Sequence, residues 1–288
     1  MEKRKLERYE EAERSIIKKY RKKIWNNFIS AVKEYELIKA GDKIAVCISG
    51  GKDSMLLAKC VELLSRYSEV PFEAVYLVMD PGYNRENREL LEKNAQTLNI
   101  DVKIFGSDIF EVTERAGGSP CYLCARMRRG WLYSKAQELG CNKIALGHHF
   151  NDAIETLLMS MMYSSEIKTM LPKLKSTNFS GMELIRPLYK VKEDDIISWA
   201  NYNGLTFLQC ACRFTADSAY NEGMSKRKEI KGLIKEIKRI NPNVDDNLFR
   251  SMHNVNLATM PGYRDSDSGS IHSFLERYEE KHGDELFN

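Results

Sequence analysis

Apolar positions along the chain follow two rhythms. Residues 1–38 are dense in Lys, Arg and Glu, yet Ile16, Ile17, Tyr20, Ile24, Trp25, Phe28 and Ile29 are interspersed among them, which predicts a helical segment. The Gly41-Asp42 turn is followed by an almost wholly apolar run over 44–48, suited to a central parallel strand. A helix is predicted over 54–67. The same alternation predicts strands over 74–79, 102–105 and 143–146, and helices over 86–98, near 123–139 and over 151–162. Strands alternating with helices imply an α/β fold, a parallel sheet with helices on both faces. Ligands of such sheets bind at the carboxyl ends of the strands. Beyond about residue 205 the pattern changes. A basic helix is predicted over 226–240, with Ile230, Ile234, Ile237 and Ile240 at helical spacing, and a polar, turn-rich stretch follows Asn241. The expected organisation is an N-terminal helical segment over 1–40, an α/β domain over 41–205 and a C-terminal helical extension over 206–288.

Composition adds bounds. A chain of 288 residues with 43% hydrophobic content can bury a core in one large domain, or one domain plus a small satellite. A formal charge of +3 permits a nucleic-acid partner without demanding one. The charged start MEKRKLERYEE has no apolar core of a signal peptide, and no run approaches the roughly 18 apolar residues of a spanning helix. A cytoplasmic protein without a membrane partner is expected. The seven cysteines include one Cys-x-x-Cys pair, Cys121 and Cys124. In a reducing compartment that favours metal, cluster or catalytic roles over structural disulfides.

The string Ser49-Gly50-Gly51-Lys52-Asp53-Ser54 lies between the first strand and its helix. Two glycines let the backbone approach an anion, and the helix start offers unpaired N–H groups and a positive dipole end. Lys52 and the serines add donors. Val46 and Asp53 rule out a Walker A loop. After the fourth strand comes Gly147-His148-His149-Phe150-Asn151-Asp152, which opens on the same side. Asn151 suits a helix cap, and Asp152 suits Mg²⁺ binding or proton transfer. Asp80, at the end of the second strand, either reaches the ligand of that loop or serves the turn at Pro81-Gly82.

Cys121 and Cys124 stand at the expected start of a helix, with Arg126, Arg128 and Arg129 a turn later; both features favour thiolates. Cys210 and Cys212 follow some 85 residues on. Three uses of these four are open: an iron–sulfur cluster, a Cys₄ zinc site, or a redox pair carrying persulfide. Cys47 and Cys60 fall on apolar faces and Cys141 in a turn, which suits core or incidental positions. The predicted helix over 226–240 holds seven Lys or Arg against two Glu, so its polar face is either a solvated surface or a contact for RNA phosphates.

SGGKDS resembles the PP-loop of ATP pyrophosphatases. CYLCARMRRGWLYSKAQELG (121–140), KIALGHHFNDAIETLLMSMMY (143–163), KTMLPKL (168–174) and LIRPLYKVKEDDI (184–196) resemble the tRNA 2-thiocytidine synthase (TtcA) family, over nearly the whole chain. The resemblance implies a PP-loop ATP-binding domain over 41–205 and ATP with Mg²⁺ held by Ser49, Gly50, Gly51, Lys52, Asp53, Ser54, Asp80, Gly147 and His148. Lys52, Asp53, Asp152 and Arg128 become the catalytic candidates. It also implies a 4Fe-4S cluster on Cys121, Cys124 and Cys212, the last within the 206–288 extension. The family spaces its downstream cysteines by two residues; here Ala211 alone separates them, which keeps Cys210 open as the third ligand. The implied reaction adenylates O2 of a tRNA cytidine, position 32 in the family, and replaces that oxygen by sulfur. Implied partners are tRNA and a sulfur donor, a cysteine desulfurase or sulfide; a homodimer is left open. Thiolation of another base or a small molecule uses the same residues. A non-catalytic ATP- and metal-binding redox sensor is the reading from another class, and the intact SGGKDS and Asp152 argue against it.

Overall fold

The computed structural model describes residues 4, 6–107, 120–208, 218–265 and 268–280, leaving aside the side chains of 120–126, 218–225, 277, 279 and 280. Among them a six-stranded sheet has the order β3-β2-β1-β4-β6-β5. Its strands are β1 (Lys43–Ile48), β2 (Glu73–Asp80), β3 (Val102–Gly106), β4 (Lys143–Ala145), β5 (Lys173–Lys175) and β6 (Glu183–Ile185). All pair in parallel except the edge strand β5, which runs antiparallel to β6. The strand order reverses direction between β1 and β4, so the crevice above their carboxyl ends is the switch point where open α/β sheets bind ligands.

Side chains of β1 alternate between two cores, as the two-residue period of a strand requires. Ile44, Val46 and Ile48 pack with Met55, Leu56 and Trp199 on one face. Ala45 and Cys47 pack with Tyr133, Ala136 and Ile144 on the other. The helices that cover the sheet are α3 (Lys52–Tyr67), α4 (Arg85–Thr97), α5 (Pro120–Glu138), α6 (Phe150–Ser164) and α7 (Glu193–Tyr202). They follow α1 (Arg8–Arg14) and α2 (Asn26–Glu34), the N-terminal helix.

Between α1 and α2 the chain winds as two π-helical turns, Ser15–Lys19 and Arg21–Trp25. The sequence explains why. Ala12, Ile16, Tyr20, Ile24 and Phe28 are all buried and recur every fourth residue. In an α-helix such a stripe drifts by about 40° per step; the wider π turns undo the drift and keep all five on the core. Buried Lys59 forms ion pairs with Glu13 at 2.7 Å and Glu62 at 3.0 Å, and the first ties this helix to α3.

The C-terminal part holds α8 (Ser218–Ile240), α9 (Val244–Ser251), the hairpin β7 (Gly262–Arg264) with β8 (Ile271–Ser273), and α10 (Phe274–Glu280). Ile230 and Ile234 of α8 are buried against Phe150 and Ile154 of α6 and Phe249 of α9. Ile237 and Ile240, expected on the same apolar face, are exposed at 37% and 89%, because α8 runs past the body it packs on. Among the described residues no helix is long and apolar enough to cross a membrane.

Candidate active site

The loop after β1 is closed by its own hydroxyls. Ser54 Oγ receives the Ser49 N–H at 3.1 Å and donates to the Gly51 carbonyl at 2.9 Å. Gly50 sits at φ +82°, a left-handed conformation that favours glycine, and a Cβ there would lie 2.6 Å from Leu208 Cδ1. Gly51 caps α3, so the first N–H groups of a long helix point out of the loop, where an anion completes them.

The loop after β4 lies directly against it. A Cβ on Gly147 would come within 3.0 Å of Ser54 N and 3.1 Å of Asp53 C. Cys47, Ser49, Asp53, Arg128, His148 and Asp152 are among the residues lining the cavity of about 360 Å³ between the loops. A second cavity, of about 730 Å³, borders Lys52, Asp53 and Arg128 and extends to Asn201 and Leu205. The structure thus brings together Ser49, Gly50, Gly51, Lys52, Asp53, Ser54, Gly147, His148, Asp152 and Arg128.

Each charge here has an identifiable environment. Lys52 Nζ bonds to Asp53 Oδ2 at 3.2 Å and Glu193 Oε1 at 3.0 Å. Burial works against its charge, but the two carboxylates win and raise its pKa. Asp53 Oδ1 is buried and has no hydrogen-bond partner among the described residues; His149 Nε2 stands 3.7 Å away. A carboxylate oxygen so placed fits a cation shared with bound phosphates, the way Mg²⁺ is usually held. Asp152 receives the His149 N–H at 2.9 Å on Oδ2 and Arg227 at 2.7 Å on Oδ1. Burial opposes its charge, yet His149 and Arg227 hold its pKa below the ordinary value. His148 is pushed down to about 4 by burial, so its ring is neutral at pH 7. Arg186 Nε donates to His148 Nδ1 at 3.4 Å, leaving Nε2 to carry the ring proton.

Asp80 occupies the end of β2 and serves the turn: the N–H groups of Gly82 and Tyr83 both donate to Oδ1 at 2.8 Å, and Arg88 binds Oδ2 at 2.5 Å. Cys121 and Cys124 lie in the first turn of α5, about one to two turns above Arg128. Their side chains, and Cys210 and Cys212 altogether, lie outside the described residues. Cys47, Cys60 and Cys141 are free and buried in the core. Burial raises all three thiols, Cys47 to about 12, which leaves them poor thiolate donors. Among the described residues no His, Cys, Asp or Glu cluster is arranged to hold a metal ion.

Glu193 carried no role in the sequence reading, and Arg227 and Lys231 carried a different one. Glu193, first residue of α7, bonds to Lys52 and to Lys231 at 2.9 Å, and its N–H donates to Asn151 Oδ1 at 2.9 Å. Burial alone would raise its pKa; Lys231, Lys52 and His149 draw it down to about 2. Arg227 and Lys231 come from α8, whose basic face was expected to meet either solvent or RNA phosphates. Both point inward instead, to Asp152, Glu155 and Glu193. Lys238 is likewise taken, by Asp245 at 2.7 Å. The signal was present in LIRPLYKVKEDDI, whose first Glu is Glu193, but its partners are distant in sequence.

Glu155 offers a test of this clasp. Its side chain is 1% exposed, with Arg227 at 3.4 Å and Lys231 at 3.7 Å. Burial outweighs both cations and pushes its carboxyl up to about 7. A raised carboxyl pKa favours the folded state at low pH, and that contribution fades as pH rises through the folded value. The buried, neutral His148 contributes the opposite slope up to about pH 6.5, so in thermal melts Glu155→Gln should make stability rise more steeply, or fall less, between about pH 5 and 7 than in the wild type. An equal slope in the variant would assign the titration to another group.

Comparison with known proteins agrees with this geometry. Residues 17–219 match the PP-loop domain family. A tRNA-cytidine(32) 2-sulfurtransferase of Geobacter metallireducens is 37% identical over 241 residues, which is 83% of this chain and 91% of that protein. The protein of the same name from Geobacter sulfurreducens is 37% identical over 239 residues, 81% of this chain and 90% of that one. Among solved structures, the U34-tRNA thiolase NcsA from Methanococcus maripaludis with its 4Fe-4S cluster is similar in fold. Its TM-score is 0.62 at 22% identity, covering 80% of this chain and 77% of that one. The chain belongs to the tRNA-cytidine(32) 2-sulfurtransferase family of PP-loop enzymes.

Proposed function

We propose that this protein uses ATP to replace the 2-oxygen of a tRNA cytidine, at position 32 of the anticodon loop, by sulfur. One observation carries the reading: two loops converge at the β1/β4 switch point on a cavity with a phosphate-ready helix start, a charged Lys52 and an open Asp53 oxygen. Membership of the sulfurtransferase family supplies the substrate class.

The loop formed by Ser49, Gly50, Gly51 and Ser54 holds the β- and γ-phosphates on its N–H groups. Lys52 leaves Glu193 for the phosphates and neutralises charge as pyrophosphate departs. Asp53 is the residue that would hold Mg²⁺, which would supply positive charge to the phosphates. The cytidine O2 attacks the α-phosphorus, and the bond to the bridging oxygen of pyrophosphate breaks. Arg128, which borders both cavities, steadies the adenylate. His148 and Asp152 line the floor, and the Asp152 carboxylate holds Arg227 beside it. A sulfur nucleophile then adds to C2 and AMP leaves with the original oxygen.

Cys121, Cys124 and Cys212 are the residues that would hold a 4Fe-4S cluster. Thiolate chemistry fits: a Cys-x-x-Cys pair occupies a helix start, and the chain toward Cys210 and Cys212 leaves from Leu208, whose N–H donates to the Gly50 carbonyl at 3.2 Å. When bound with three protein ligands, such a cluster supplies an iron site able to carry sulfur.

The test is an anaerobic incubation of the protein with ATP, sulfide and tRNA lacking the modification, followed by nucleoside mass spectrometry and AMP measurement. One 2-thiocytidine per AMP is expected. Thiolation of a uridine instead, or AMP release with no thiolated nucleoside, would overturn the reading.

A further inference from the structure

The N-terminal helix carries charges the fold does not use. Between Arg14 and Lys33 the sequence contains no Asp or Glu. Arg14, Lys18, Lys19, Arg21, Lys22 and Lys23 are all exposed. Among the described residues only Lys23 of these has an ion-pair partner, Asp195 at 3.0 Å. The π-helical winding aligns them. The apolar stripe runs through Ile16, Tyr20 and Ile24; Arg14, Lys18 and Lys22 share its four-residue spacing, offset by two residues onto the opposite side. The turns that hold the first row on the core thereby straighten the second.

The row leads to the active site. Arg14, Lys18, Lys19 and the partly exposed Tyr202 border a cavity of about 940 Å³. Lys19 Nζ lies 3.5 Å from the centre of the Tyr202 ring. Asn201 and Leu205 line both this cavity and the one of about 730 Å³ that reaches Lys52 and Asp53. A path of cations and one aromatic face thus runs from the N-terminal helix along α7 to the phosphate loop. On α8 four of the seven cations over 226–240 are taken, Arg227, Lys231 and Lys238 by internal carboxylates and Arg239 by Glu236, which leaves Lys226, Lys228 and Lys235 without a carboxylate partner among the described residues.

We propose that the cation row Arg14, Lys18, Lys19 and Lys22, with Tyr202 as a stacking face, is the track that binds the RNA backbone and leads the target base to the phosphate loop. The proposal rests on the tRNA reading above and assigns that substrate a surface. Phosphate contacts released from counterions give a salt-dependent affinity, with a slope set by the number of contacts. A stacked base contributes affinity without changing that slope.

The experiment measures tRNA binding to the full anaerobic protein by filter retention across a salt series. Lys18→Ala/Lys19→Ala/Lys22→Ala should lower the slope by about two and weaken affinity at least roughly tenfold at physiological salt. Tyr202→Ala should weaken binding about tenfold with the slope unchanged. Lys228→Ala/Lys235→Ala, on the exposed side of α8, should leave both near wild type. Thermal melting and ATP-analogue affinity should be unchanged in every variant. A triple variant with the wild-type slope, or an α8 variant that lowers it instead, overturns the track while the tRNA reading stands. A wild-type protein that does not retain tRNA overturns the tRNA reading itself.

Discussion

Asp53→Ala is expected to lower AMP formation by about a hundredfold to a thousandfold, the scale seen when one preorganised electrostatic group is removed from a transition state. Its Oδ1 is buried yet unpartnered, a costly arrangement that a bound cation would repay. Lys52→Ala should cost a similar factor. Lys52 is held between Asp53 and Glu193 and keeps its proton there, so ATP meets a charged ammonium within reach of its phosphates. Both variants should melt cooperatively and keep the metal content of the wild type, because the loop lies at the surface end of α3 and its core residues are untouched. Tritium- or mass-labelled AMP release with and without tRNA makes the measurement. Turnover near wild type in either variant would remove the loop from the mechanism.

Serine at Cys121, Cys124 or Cys212 is expected to abolish both cluster and thiolation, whereas Cys210→Ser should keep both. The sequence has seven cysteines, and Cys47, Cys60 and Cys141 are core thiols, so any thiolate site must come from the other four. A cluster on three of them gives a brown, oxygen-sensitive protein with about four irons and four sulfides per chain. A Cys₄ zinc site would be colourless, hold one zinc, and be lost with Cys210 as readily as with Cys212. Loss with Cys210 but not with Cys212 would exchange the third ligand. Full activity of a metal-free anaerobic preparation would set both metal sites aside and leave a persulfide on a cysteine pair. Metal analysis on the four single variants, made independently of the activity assay, separates these outcomes.

Most of the sheet was legible because its central strands are buried on both faces. The apolar runs at β1, β2 and β4 stand between clear turns, and the observed bounds differ from the expected ones by a residue or so. The edge was not legible. β5 and β6 have three residues each, and β5 reads Lys-Leu-Lys, too short for periodicity and polar because an edge strand faces solvent. Helix α7 was not predicted: EDDIISWANY buries Ile196, Trp199 and Ala200 but opens with three acids. In the site, the loop residues were legible because Gly-Gly-Lys before a helix has few other uses. Glu193, Arg227 and Lys231 were not, since their meaning lies in contacts across 38 to 141 residues of sequence. Counting the charges of α8 likewise overestimated its free surface, because a lysine on a helix looks the same in sequence whether it meets water or Glu193.

Leu208 lies beyond the last strand and helix of the α/β body, yet its N–H bonds to Gly50 and its side chain fills the space a Gly50 Cβ would need. A fragment cut at residue 205 would retain every strand of the six-stranded sheet and the whole SGGKDS string but lose the wall behind the loop. Minimal-domain engineering of this fold therefore has to carry the chain past residue 208. By the same coupling, a protease nick or chemical lesion just after that point should register as a change in nucleotide affinity before any loss of the sheet.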